Sequence, residues 1–174
     1  MKNEAFSPVT NVEDTPVEGG GEAPWASRYQ VLTPHMREAG GKLGVVLNRL
    51  PSGSLGCPFH WHAREDEVFY ILEGRGVLRY GEETRELRPG DCISCPAGKQ
   101  VAHQIGNPYD DDLVYLAMGN HDPDEICGYP DNGKVMLRHL QSVGRLDVLD
   151  YFEGEPESPI LFTQASAKDG SSNE

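Results

Sequence analysis

Between residues 42 and 118 the chain meets a turn signal every few positions, and this spacing excludes most folds. Pro51-Ser52-Gly53-Ser54, Ala63-Arg64-Glu65-Asp66, Gly74-Arg75-Gly76, Gly81-Glu82-Glu83, Arg88-Pro89-Gly90-Asp91 and Pro96-Ala97-Gly98 all read as turns or loops. The segments between them, 42–50, 68–72, 77–80, 84–87, 92–95, 101–106 and 113–118, suit strands and are too short for ordinary helices. With a first strand near Tyr29-Gln30-Val31-Leu32, they predict about eight short strands, the pattern of an all-β sandwich or barrel. The 20 glycines and 13 prolines fit many turns. No long segment of helical period precedes residue 135. Residues 134–149 have weak helical spacing (Val135, Leu137, Leu140, Val143, Leu146) that Gly144 interrupts, so 134–150 stays open between a strand with a loop and a short helix.

On this scaffold, residues 56–74 hold His60, His62 and Glu67, three good metal ligands at close spacing. Side chains alternate faces along a strand, so His60 and His62 point one way and Trp61 the other. Two adjacent imidazoles can grip one ion. Glu67 lies at an odd offset from His62 and would face away on an unbroken strand. The polar run 63–66 reads as a turn, so Glu67 is expected to open a second, antiparallel strand beside the first, in a hairpin that brings its carboxylate to the imidazoles. A second stretch, 90–98, reads as turn, strand, turn, and is followed by His103 and, on the same face, Asn107.

The two stretches resemble the two cupin motifs. The first has the form H-x-H, four residues, E, six residues, G, met here by His60, His62, Glu67 and Gly74. The second has the form G, five residues, P-x-G, a short gap, H, three residues, N, met by Gly90, Pro96, Gly98, His103 and Asn107. There are two departures: Ser54 stands where the family usually has Gly, and the gap between Gly98 and His103 is four residues where two is common. The insertion is even, so His103 keeps its face. The resemblance covers roughly residues 41–119. It implies an all-β double-stranded β-helix, the jelly-roll cupin barrel, with short N- and C-terminal extensions. It also implies one divalent transition metal ion held by His60, His62, Glu67 and His103. Iron, manganese, zinc, nickel and cobalt all suit imidazole with carboxylate. Residues 128–134 further resemble the C-terminal extension of a group of stand-alone, mostly bacterial cupins.

A chain of 174 residues is one domain by size. Residues 1–24 are expected to be a flexible acidic arm, ordered only where it docks. Residues 25–165 form the single cupin domain, with the motif core at about 41–119 and the C-terminal extension at 120–165. Residues 166–174 are expected to be a disordered tail. The net charge is −13, of which residues 1–25 and 153–174 carry −8. No basic footprint for nucleic acid exists, and an acidic surface is repelled by phosphates and anionic lipids. No signal peptide and no apolar run of membrane-spanning length is visible, so the protein is read as cytoplasmic. Cys57, Cys92, Cys95 and Cys127 are read as free thiols. Cys92 and Cys95 face opposite ways on a strand and cannot share a metal.

Other polar residues have plainer readings. Asn107 suits a structural hydrogen bonder, and Cys57 a packing thiol near the pocket mouth. Arg64, Arg75, Arg79 and Lys99 read as solvated strand or turn positions, and His35 and His121 as surface histidines. Glu65 is placed in a solvent-facing turn, so no second general base can be named. The expected function is a metal-dependent cupin acting on a small sugar-like or organic-acid molecule, as an isomerase or dioxygenase. The alternative is a binding or sensing module on the same barrel without turnover. A homodimer is expected, with segments outside the motif core, roughly 25–40 and 120–165, as cover or interface for open sheet edges.

Overall fold

In a computed structural model the chain is described over residues 7–158, 160–162 and 164. The tail expected at 166–174 lies outside the described residues. Among the described residues there are fourteen strands: β1 Glu18–Gly20, β2 Ser27–Val31, β3 Leu43–Leu50, β4 Ser54–Leu55, β5 Trp61–His62, β6 Glu67–Glu73, β7 Gly76–Tyr80, β8 Glu83–Leu87, β9 Cys92–Cys95, β10 His103–Asn107, β11 Leu113–Asn120, β12 Ile126–Tyr129, β13 Lys134–Leu137 and β14 Ser142–Gly144. The turn signals fall between strands as the sequence predicts. Gly74 illustrates why glycine is needed there: it sits at φ +74°, and a Cβ would run into the Asp112 carbonyl.

The strands form antiparallel sheets that make a jelly-roll barrel. One wall is the six-stranded sheet β1-β2-β3-β11-β6-β9, and the opposing wall is β4-β10-β7-β8. A third sheet, β14-β13-β12-β5, continues that second wall, because His60 forms a bridge with His103 of β10. Alternation decides what faces inward. On β6, Phe69 and Ile71 are buried while Tyr70 and Leu72 are exposed; on β10, His103 and Ile105 are buried. Phe69, Ile71, Leu50, Leu113 and Tyr115 from the first wall pack against Leu78, Leu87 and Ile105 from the second. Each such apolar side chain contributes about 1.5–3 kcal/mol by leaving water. Among the described residues no helix is long and apolar enough to cross a membrane.

The residues flanking the barrel also take regular structure. Glu18–Gly20, within the segment expected to be a mobile arm, pairs with β2. The Gln30 side chain accounts for part of this order, donating to the carbonyls of Val12 at 2.7 Å and Thr15 at 2.8 Å. Residues 134–150, left open above, contain β13 and β14 and no helix.

Candidate metal centre

The four motif residues meet at one end of the barrel interior. His60 and His103 are buried, at 8% and 2% exposure, and exchange backbone hydrogen bonds of 3.1 and 2.8 Å. This pairing sets their rings side by side, with centroids 4.6 Å apart. His62 lies on β5, on the same face as His60, as alternation requires. Glu67 opens β6, as expected, but the expected hairpin does not form. The residue paired with His62 is Cys127 of β12, while β6 lies between β11 and β9 in the opposing sheet. Glu67 therefore reaches the imidazoles across the barrel. The turn at 63–66 carries the chain from one wall to the other, which local sequence does not distinguish from a hairpin turn.

The geometry converges on a single oxygen. Glu67 Oε2 lies 2.8 Å from His103 Nε2, 3.2 Å from His62 Nε2 and 3.7 Å from His60 Nε2. The ligand atoms of the four residues all lie within 4.8 Å of one another. His60 Nδ1 is 2.8 Å from the Pro58 carbonyl and donates to it, which turns Nε2 inward. Both ring nitrogens of His62 and Nδ1 of His103 are buried without a hydrogen-bond partner among the described residues. Buried polar atoms of this kind cost stability unless something satisfies them, and an ion bound at Nε2 would use the lone pairs that point inward. The residues fit a metal.

Charge is distributed unevenly in the cluster. Burial works against ionising Glu67, but the hydrogen bond with His103 and the neighbouring His60 and His62 rings outweigh it and hold the carboxyl well below the usual range. Burial likewise opposes charge on His60, but hydrogen bonding to Cys57 and Glu67 overcomes it and raises the pKa to about 11. His103 is held below the ordinary value by burial first, which outweighs the hydrogen bond to Glu67, with the neighbouring His60 adding to the lowering. Without a metal, His60 is the imidazole whose protonated form is favoured beside Glu67. The Cys57 thiol stands 3.5 Å from His60 Nδ1, closer to the centre than a packing role at the pocket mouth implies.

Behind His62 stands a carboxylate pair that sequence reasoning missed. Its Nδ1 is 3.7 Å from Glu65 and 3.7 Å from Glu125. Glu65 is not in a solvent-facing turn: it is 6% exposed and bidentate to Arg138 of the C-terminal segment, with the Asp122 amide donating at 2.6 Å. Glu125 is fully buried and accepts from the amides of Ala63 at 2.7 Å and Arg64 at 3.0 Å. His62, Glu65 and Glu125 lie close enough to hold an ion themselves. Each carboxylate already has donors, however, and the group reads as a frame that orients His62. Glu125 sits in a stretch that reads as a surface turn, and nothing local signals its burial.

The remaining expectations divide. Asn107 is structural, donating to the Leu50 and Asp111 carbonyls at 2.9 and 2.8 Å. Arg64 pairs with Asp122 and Arg79 with Asp131, Arg75 lies over the Tyr109 ring, and Lys99 is exposed. Cys92 is exposed and Cys95 buried, on opposite faces of β9. His35 is 3.4 Å from Glu38 on the surface. His121 differs from its reading: it is half-buried between Arg37 and Arg138, at 2.9 and 3.0 Å.

Comparison with known proteins agrees with this architecture. Residues 46–119 match the cupin domain. An uncharacterized protein of Methanocaldococcus jannaschii is 33% identical over 78 residues, 45% of this chain and 59% of that protein. An oxalate-binding protein of Thermotoga maritima is 34% identical over 70 residues, 40% of this chain and 55% of its own length, so this chain spans little more than half of either relative. The crystal structure of a cupin-superfamily sugar phosphate isomerase from Silicibacter pomeroyi superposes with a TM-score of 0.68 at 25% identity, covering 83% of this chain and 98% of that one. With both motifs present, their residues gathered inside one jelly roll, and this domain match over residues 46–119, the centre of the chain is a cupin domain.

Proposed function

We propose that His60, His62, Glu67 and His103 bind one divalent transition metal ion, and that the centre acts on a small sugar-like or organic-acid molecule as an isomerase or dioxygenase. The observation that carries this is the convergence of three buried Nε2 atoms on one Glu67 oxygen, with other ring nitrogens left unsatisfied. A bound ion supplies Lewis-acid polarisation of a carbonyl or hydroxyl group, or activates oxygen. The chain's own residues do the rest. His60 holds its orientation through the Pro58 carbonyl, so that its Nε2, once deprotonated, would serve as the ligand atom. Phe69, 5.6 Å from the His103 ring, and Tyr115 behind it keep water from the inner side.

A second reading, a binding module without turnover, is favoured by one observation. Glu65 and Glu67 are the acids lining the cavity beside the centre, and neither is a free base: Arg138 engages Glu65, and the imidazoles engage Glu67. The relative named for oxalate binding points the same way. The test has two stages. Elemental analysis of wild type, His62→Ala and His103→Ala is expected to find about one metal per wild-type chain and loss of most of it in both variants; full retention by both would sink the ligand assignment. A screen of small sugars and organic acids under air and under nitrogen then separates turnover from binding alone.

A further inference from the structure

Beside the centre the barrel opens into a cavity of about 440 Å³. Its walls come from the inward faces of β2, β3 and β11, where Val31, Val46 and Ala117 give an apolar lining, and Glu67 borders it on the metal side. The other border is formed by Arg37 and Lys42, with His121 between them and the Arg138–Glu65 pair. What sets these two cations apart in a chain of net charge −13 is their place on the cavity rim. Arg64, Arg79, Arg85 and Arg138 each pair with a carboxylate within 4.0 Å, whereas among the described residues neither Arg37 nor Lys42 does. The Arg37 partner is a ring nitrogen, His121 Nε2 at 2.9 Å. Nearby acids are already engaged: Glu65 by Arg138, Asp122 by Arg64 and Glu67 by the imidazoles. His121 adds no acid of its own, and burial together with Arg138 and Arg37 lowers its pKa, which keeps it neutral and able to accept from Arg37. Lys42 also acts on Asp122 through space, but among the described residues neither cation is in a direct ion pair, and positive charge at the edge of a partly enclosed, apolar-walled cavity concentrates small anions there.

We propose that Arg37 and Lys42 form an anion subsite at the mouth of this cavity, which takes the phosphate or carboxylate of a small ligand whose other end reaches the His60, His62, Glu67 and His103 group. The inference deepens the proposed small-molecule function and rests on it. It adds the ligand's chemical class: a molecule with an uncharged, oxygen-rich end for the centre and an anionic end for the rim. An arginine can hold either anion in a fork, and a lysine adds a point charge.

The test titrates inorganic phosphate and, separately, malonate into wild type and into an R37A/K42A variant by calorimetry, each metal-loaded and chelator-stripped, with metal content measured alongside. Both positions are exposed, so the fold should tolerate the change; Lys42→Glu provides a second variant. The expected result is saturable binding of at least one anion to the wild type and at least tenfold weaker binding to R37A/K42A in both metal states. Metal content should be unchanged and Lys42→Glu at least as impaired. Stronger binding of phosphate than malonate would point to a phosphate ester, and the reverse to a carboxylic acid. Equal binding by wild type and R37A/K42A would overturn the subsite, as would no saturable binding of either anion, or binding that disappears with the metal and ignores Arg37 and Lys42. A wild type that binds anion through these residues but holds no metal would overturn the metal reading and leave the subsite standing.

Discussion

His62 is faced by three carboxylates. Glu67 faces its Nε2, and Glu65 and Glu125 face its Nδ1. Parity on a strand is enough to predict that His62 and His60 share a face, because Cβ direction follows from the backbone alone. The frame behind it was not legible, because Glu65 and Arg138 are far apart in sequence and nothing local pairs them. That pair gives a prediction at this scale. Arg138→Met leaves the buried Glu65 carboxylate without its bidentate partner, and breaking a buried pair from one side costs about 3 kcal/mol at the low end of the usual range. The melting temperature should fall by roughly 10 °C for a domain of this size. Metal affinity should fall about tenfold or more through the disturbed orientation of His62. Unchanged melting and metal binding would show that Glu65 is satisfied without Arg138.

Among the elements, β12 ties the C-terminal segment to the centre. It pairs with β5 in a register that sets Gly128 against Trp61 and Cys127 against His62. The fit depends on a missing side chain: a Cβ at Gly128 would overlap the Trp61 indole. Gly128→Val should therefore force the strand off β5 and destabilise the fold by about 1–3 kcal/mol, as overpacking does. It should also weaken metal binding, because β5 carries His62 and its neighbour Glu125 precedes β12 directly. Thermal melting together with metal content checks both effects, and a variant equal to wild type in each would remove β12 from the support of the site. The expected hairpin failed at this same scale. Strand limits could be read closely, with β6 beginning at Glu67 and β9 spanning Cys92–Cys95 as predicted, but the partner of each strand could not.

For the whole molecule, the ionisation of the centre predicts opposite pH dependences with and without metal. In the metal-free protein the raised His60 pKa contributes stability fully present below the unfolded value of about 6.5 and lost as pH rises toward about 11. The depressed Glu67 pKa contributes stability present above about 4.3 and lost as pH falls through its lower folded value. The depressed His103 pKa contributes stability present above about 6.5 and lost as pH falls toward its lower folded value, so site-linked stability of the stripped protein should peak near about pH 6.5. Metal needs His60 deprotonated, so binding at pH 7–8 should release about one proton, readable as a buffer-dependent heat, and metal should leave below about pH 6. A chelator at pH 7.5 should lower the melting temperature without unfolding the barrel, whose core of Leu50, Phe69, Ile71, Leu113 and Tyr115 does not depend on the ion. A melting temperature insensitive to verified metal removal would contradict this. The second prediction at this scale is a homodimer. Leu146, Val148, Leu149, Tyr151 and Phe152 are all exposed within one short segment, apolar surface that a second copy would cover. Light scattering at micromolar concentration should give twice the chain mass, and a monomeric mass would reject it.

By itself the sequence determined what depends on near neighbours along the chain. Turn residues set where strands stop, alternation set which side chains share a face, and the spacing of His60, His62, Glu67 and His103 marked the ligand set through its likeness to the cupin motifs. Only the tertiary structure decided which wall each strand joins. It therefore decided that Glu67 crosses the barrel to meet the imidazoles, that Glu65 and Glu125 are buried behind His62, and that Arg37 and Lys42 stand at the cavity mouth. The physical reason is range. A turn and a two-residue alternation act over a few bonds, whereas the burial of Glu125 or the pairing of Arg138 with Glu65 exists only once strands distant in sequence close on one another.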